Sequence, residues 1–149
     1  MDDTSLHIVC PRCSATNRVP EDRITDAPDC GKCKAPLFEG HPADLDEMAF
    51  SRQIAHNDIP VVVDFWAPWC GPCRTMAPEF AKAAALLEPH ARLIKVNTDA
   101  EQTLAGRLNI RSIPTMALFI GGKERARQSG AMGATAIVQW VNSQLQRPV

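Results

Sequence analysis

Six cysteines fall into three pairs with the same two-residue gap: Cys10/Cys13, Cys30/Cys33 and Cys70/Cys73. Thiols so spaced can hold a soft metal ion, or can close and reopen a disulfide across one turn of chain. Their surroundings separate the two uses. Cys70 and Cys73 stand in "VVVDFWAPWCGPCRTMAP", Val61 to Pro78, after a continuous apolar run and at the start of a helical pattern. A cysteine at a helix N-terminus meets unpaired backbone N–H groups and the positive end of the helix dipole, both of which stabilise a thiolate. Cys70 is therefore suited to attack a disulfide from an exposed position. Cys73, one turn further in, is placed to resolve the mixed disulfide that results.

The four earlier cysteines sit among charged residues and turn formers. Cys10-Pro11-Arg12-Cys13, sixteen residues, then Cys30-Gly31-Lys32-Cys33 matches the spacing of two metal-binding knuckles. Four thiolates fill a tetrahedral zinc site, leave no open position for catalysis, and supply folding energy to a short segment. Backbone N–H groups near Arg12, Lys32 and Lys34 would offset the thiolate charge. Two disulfides, or a dithiol relay feeding Cys70, are the other readings of the same four residues. His7 and His41 are spare imidazoles that four cysteines make unnecessary.

These sites must be carried by two units. Residues 1–40 contain the early cysteines, four prolines and only scattered apolar residues, so this segment needs a staple to fold. Five basic side chains there face seven acidic ones, and Phe38 is its only aromatic, which argues against a nucleic-acid grip. "EGHPAD", Glu39 to Asp44, reads as the linker. The unit 41–149 follows the order α-β-α-β-α-β-β-α. "DLDE" suggests a capping box, with Asp44 capping a first helix that ends near Asn57. "VVVDFWA" reads as a strand buried on both faces. Met76, Phe80, Ala83 and Leu87 make a helical stripe from Gly71 onward, with Pro78 inside it expected to kink the helix. "RLIKVN" is a strand and Asp99–Asn109 a short helix. "TMALFI" and "KERARQS" form a hairpin about Gly121-Gly122. Ile137, Trp140, Val141 and Leu145 share one face of a last helix.

Asp64 lies mid-strand among apolar neighbours, where burial should raise its pKa and suit it to take a proton from Cys73. Lys95, on the neighbouring predicted strand, is its expected partner. A purely structural Asp64, satisfied by Lys95, is the competing reading.

"VDFWAPWCGPC", "KVNTD", "IRSIPT", "GGK" and "SGA", in that order, resemble the thioredoxin family across the whole of the second unit. The resemblance implies an α/β thioredoxin fold, a central mixed sheet flanked by helices. It implies a protein-disulfide reductase with Cys70 as nucleophile and Cys73 as buried resolving thiol. Gly71-Pro72 resembles the reductases rather than the isomerases or oxidases of that fold. Trp69 would flank the site, and Pro114 would be cis, freeing the Ile113 backbone to pair with an extended substrate. Gly130 and Ala131 would complete that surface. Trp66 would pack beneath the site, with Arg74 solvated nearby. An N-terminal zinc ribbon over residues 1–40 resembles the ribbon-bearing thioredoxin 2 group of the bacterial cytosol.

The expected cofactor is one structural zinc ion per chain. The expected partners are a thioredoxin reductase, which holds the NADPH and flavin, and proteins with reducible disulfides. Neither nucleic acid nor membrane is expected as a partner, and nothing demands more than a monomer. The N-terminus lacks a basic and then apolar leader pattern, which points to the cytoplasm. A zinc-dependent binding module or holdase chaperone with secondary redox activity is the rival function. Replacing Cys70 would abolish the first activity and spare the second.

Overall fold

In the computed structural model, which describes residues 4–146, the early cysteines and the dithiol belong to two packed units. The first begins with a hairpin, β1 (Ser5–Val9) and β2 (Thr16–Pro20), paired antiparallel from Ser5↔Pro20 to Val9↔Thr16. Neither strand is announced by a pattern in the sequence. Its core is small but present: Ile8, Val19, Ile24 and Leu37 are buried together with Cys10, Cys30 and Ile59, the last lent by the second unit.

The second unit is a five-stranded mixed sheet in the order β3-β5-β4-β6-β7. Its strands are β3 (Ala43–Asp44), β4 (Val61–Trp66), β5 (Arg92–Asn97), β6 (Thr115–Ile120) and β7 (Lys123–Ser129). β3, β5 and β4 run parallel, while β6 pairs antiparallel with β4 and β7 with β6. Successive side chains on a strand face opposite sides, and the two cores follow that parity. Val62, Leu93, Met116 and Leu118 pack with α2 (Gly71–Leu87) and α4 (Ala134–Leu145). Val63, Phe65, Ile94 and Ala117 pack on the other face with α1 (Glu47–His56) and α3 (Gln102–Arg107). Phe50 of α1 meets Phe65 and Phe119 edge-on, with centroids at 6.2 and 5.6 Å.

Several sequence expectations need correction. Asp44 does not cap the first helix. Asp46 does, accepting the Ala49 N–H at 2.9 Å, while Asp44 belongs to β3 opposite Lys95. Part of the expected linker is therefore sheet. The helix expected over Asp99–Asn109 begins only at Gln102, because the Asn97 side chain takes the Asp99 and Ala100 N–H groups into a turn. Leu145 lies on α4 but is 39% exposed, leaving Ile137 and Val141 as that helix's buried anchors. Helix α2 continues through Pro78 to Leu87. Gly121 and Gly122 turn the last hairpin with φ of +60° and +82°, a backbone that side chains disfavour and that suits the strand twist.

Polar groups join the two units. The Val9 N–H donates to Asn57 Oδ1 at 2.8 Å, and its carbonyl accepts from Gln53 and Arg92. His7 and Asp58 exchange backbone and side-chain bonds beside them. The ribbon thus docks along α1 and where β4 and β5 begin, whereas Cys70 follows the place where β4 ends.

Candidate active site and metal centre

The dithiol is built by the junction of β4 and α2. Cys70 is the N-cap of α2, with extended backbone angles, and its Sγ accepts the Cys73 N–H at 3.2 Å. Gly71 and Pro72 supply the first turn; proline there forfeits no helical hydrogen bond, since those N–H groups have no partner within the helix. Cys70 and Cys73 are joined as a disulfide with Cα atoms 5.2 Å apart. Cys70 is 5% exposed and Cys73 1%, so an approaching chain meets Cys70 first. The exposed thiol expected at Cys70 is thus largely covered, by packing with Trp66, Ala67 and Ile113.

A second segment faces the pair. The Ile113–Pro114 peptide is cis, and the Ile113 carbonyl oxygen lies 3.8 Å from Cys70 Sγ. The Gly130 N–H donates to the Pro114 carbonyl at 2.9 Å, which brings Gly130 and Ala131 alongside. Gly130 has φ of +98°, where a side chain would be strained. Trp69 is 67% exposed, and its Nε1 donates to Asp99 Oδ2 at 2.8 Å. Asp99 is a supporting residue that the sequence marks only as a helix start, although it stands in the "KVNTD" segment. Arg74 is exposed, as expected, but donates from Nη1 to the Pro68 carbonyl at 2.9 Å.

Asp64 is fully buried, and its two carboxylate oxygens have no hydrogen-bond partner among the described residues. Burial pushes its pKa up to about 7, against the attraction of Lys95 and aided by the negative charge of Asp44. Lys95 stands opposite Asp64 in the sheet register, but its ammonium rests over the Trp66 ring, 4.5 Å from the centroid. Lys95 is thus the partner of Asp64 as a nearby charge, without a hydrogen bond between them.

The four early thiols converge elsewhere. Their sulfurs all lie within 4.8 Å of one another, with Cys10–Cys33 and Cys13–Cys30 at 3.6 Å. A tetrahedron of Zn–S bonds near 2.3 Å has sulfur–sulfur edges of roughly 3.8 Å, so the donor set fits such an ion. A disulfide needs about 2.05 Å, and all four cysteines are free. The two knuckles repeat each other. In each, the first cysteine's N–H bonds a carbonyl five residues on (Ala15, Ala35), and its carbonyl accepts from residue four (Ser14, Lys34). The Arg12 and Lys32 N–H groups point at Cys10 and Cys30 sulfurs at 3.4 Å, as anticipated, whereas Lys34 N–H serves the Cys30 carbonyl instead. Asn17, unanticipated, reaches Cys30 Sγ at 3.5 Å and holds Gly31 at 2.8 Å. Backbone N–H of Cys33, then the Asn17 amide, draw the Cys30 thiol down to about 6; burial pushes Cys10 up to about 12. His7 and His41 bond Asp58 and Glu39, outside the thiol cluster.

A strand-to-helix dithiol facing a cis-proline loop, on this mixed sheet, defines a thiol–disulfide oxidoreductase. Comparison with known proteins gives the family. The family model described as Thioredoxin matches residues 41–143, and that described as Thioredoxin 2, N-terminal, matches residues 9–35. Thioredoxin C-3 of Corynebacterium nephridii is 44% identical over 140 residues, spanning 94% of this chain and 96% of its own. Thioredoxin 1 of Nostoc sp. is 40% identical over 103 residues, 69% of this chain and 96% of its own. The solved structure of chloroplastic thioredoxin z superposes with a TM-score of 0.66 at 25% identity, covering 72% of this chain and 96% of that one. The chain belongs to the thioredoxin family, the protein-disulfide reductases, and carries the N-terminal ribbon of the thioredoxin 2 type. No helix among the described residues is long and apolar enough to cross a membrane.

Proposed function

We propose that Cys70 is the attacking thiolate, Cys73 the resolving thiol, and Asp64 the acceptor of the Cys73 proton. The observation that carries this reading is Cys70 as helix N-cap with the better-covered Cys73 behind it, on the sheet face that also bears Asp64. Cys70 thiolate attacks one sulfur of a substrate disulfide, forming a mixed disulfide and releasing the other substrate sulfur as thiolate. Cys73, its proton passed to the Asp64 carboxylate, attacks Cys70 Sγ, closing the Cys70–Cys73 disulfide and freeing the second substrate thiolate. The substrate gains two electrons and the dithiol loses two. Lys95 moderates the acidity of Asp64. Ile113 offers its backbone to an extended substrate segment beside Pro114, while Trp69, Gly71, Pro72, Gly130 and Ala131 form the rest of that surface.

The chain divides into a zinc ribbon over 1–40 and a thioredoxin domain over 41–149. Cys10, Cys13, Cys30 and Cys33 hold one zinc ion, whose chemistry is structural: it cross-links the two knuckles. A thioredoxin reductase regenerates the dithiol of this monomeric, cytoplasmic protein. Trapping tests the assignment. Cys73→Ser should accumulate a mixed disulfide through Cys70 with a disulfide-bearing protein, and Cys70→Ser should form none and reduce nothing. Trapping through Cys73 in the Cys70→Ser protein would reverse the roles.

A further inference from the structure

The linker strand carries a group that the dithiol chemistry above does not use. β3 is two residues long, and its second residue, Asp44, pairs in register with Lys95 of β5, which in turn pairs with Asp64 of β4. Residues directly opposite in neighbouring strands face the same side of the sheet. The three side chains therefore form one row across β3, β5 and β4: carboxylate, ammonium, carboxyl. The outer end of the row is exposed and the inner end is fully buried. Asp44, Lys95 and Trp66 also line a common cavity of about 270 Å3 at the sheet edge. The Trp66 ring underlies the Lys95 ammonium, so Lys95 is held between the two acids without bonding the inner one.

We propose that Asp44 is a positioning residue for the proton step: from the linker strand its negative charge competes for Lys95 and opposes ionisation of Asp64. This rests on the reading of Asp64 as proton acceptor. A carboxyl that faced Lys95 alone would ionise at lower pH and be a weaker base at neutrality. The second acid across the lysine cancels part of that attraction, and Asp44 contributes to the elevation of Asp64. The remaining charged groups about the cavity are otherwise engaged. Asp46 caps α1 through the Ala49 N–H, and Glu101 accepts the Glu47 N–H. On the β6 side Asp64 pairs with Met116, and Lys95 and Asp44 are the charges among the described residues that act on it. The linker is itself anchored: the Gly40 N–H donates to Glu88, and Leu45 N–H to the Lys95 carbonyl. These two bonds flank Asp44 and fix the strand that carries it.

The test follows the Asp64 carboxyl carbon by NMR titration of the full chain, in wild type, Asp44→Asn and Asp44→Glu. Two strand spacings separate the carboxyls by roughly 10 Å, so Asp44→Asn should lower the Asp64 midpoint by about 0.3 to 1 pH unit, and Asp44→Glu should restore most of it. The acid limb of kcat/KM against pH should move with it, and in an Asp64→Asn background Asp44→Asn should shift nothing. A merely structural Asp44 would change unfolding without moving the titration. An unmoved Asp64 midpoint in Asp44→Asn overturns the proposal. An Asp64→Asn protein with an unchanged pH–rate profile removes the proton-acceptor reading separately, because the carboxyl titration still decides the role of Asp44.

Discussion

Arg92, the first residue of β5, donates from Nη2 to the carbonyl oxygen of Val9 at 2.9 Å, one residue before the first metal-knuckle cysteine. The same guanidinium reaches Gln53 Oε1 at 3.3 Å, faces Glu88 at 3.7 Å and stacks 4.6 Å from the Phe38 ring. Arg92 and Glu88 side chains are each 2% exposed. A buried cation survives only when paired and hydrogen-bonded, and here its partners come from both units. The ribbon is thus held by a desolvated polar joint rather than by a flexible tether.

Arg92→Ala should be severely destabilising, by about 3–5 kcal/mol, because it strands the Glu88 carboxylate in a buried site and leaves the Val9 carbonyl one donor short. Arg92→Met fills the volume but leaves the same carboxylate unpaired, and should recover little unless Glu88→Gln accompanies it. Urea unfolding of the two single variants and the pair checks this. Equal stability of Arg92→Met and wild type would remove the joint from the account.

Metal removal should separate the two cysteine sites. Purified protein with Cys70→Ser and Cys73→Ser should contain about one zinc per chain, and chelation should release it. The hairpin β1/β2 then loses its cross-link, so the Val9 amide, now bonded to Asn57, should lose exchange protection. Insulin reduction by chelated wild-type protein should stay within about twofold, since none of the described hydrogen bonds at Cys70 or Cys73 comes from the ribbon. Complete loss of reduction with residues 41–149 still folded would tie the ribbon to catalysis.

Trp69 is an exposed indole aimed by one bond to Asp99. Asp99→Ala should leave stability nearly unchanged, because the bond is solvent-screened. The freed indole should cost about two- to tenfold in kcat/KM with protein disulfides, whose proposed docking surface includes it, and little with a small aromatic disulfide. Equal losses on both substrates would mean that Trp69 acts on the thiol pair itself.

Features that repeat along the chain are legible in its sequence. The apolar run Val61–Trp66, the stripe Met76/Phe80/Ala83/Leu87 and the Gly121-Gly122 turn each follow from side-chain periodicity or backbone freedom, and each stands where expected. So does the convergence of four cysteines whose spacing matches two knuckles. What escapes is made of backbone or of distance. β3 is two residues of main-chain pairing with no side-chain pattern to announce it. Arg92 reads as an ordinary strand-end charge until the ribbon, eighty-three positions away in sequence, covers it. Asp46 displaces Asp44 as cap because both are capping residue types, and the choice falls to the pairing of Asp44 with Lys95. Lys95 stands opposite Asp64 as expected, but it acts on it only as a charge, because the Trp66 face takes the ammonium.

The buried Asp64 should make stability fall as pH rises. Its folded pKa of about 7 lies above its ordinary value of 3.8, so between those limits the native state keeps a proton that the unfolded chain releases. Stability is therefore full below about pH 4, declines toward about pH 7, and is level beyond; the loss is about 4 kcal/mol at most for a shift of that size. Asp64→Asn cannot ionise, so it should lack this slope and be the more stable protein at pH 8, while matching wild type near pH 4. Urea unfolding of the oxidised proteins at pH 5 and pH 8 measures the difference directly. Parallel slopes in wild type and Asp64→Asn would mean that Asp64 stays ionised in the fold, and would remove it as the acceptor of the Cys73 proton.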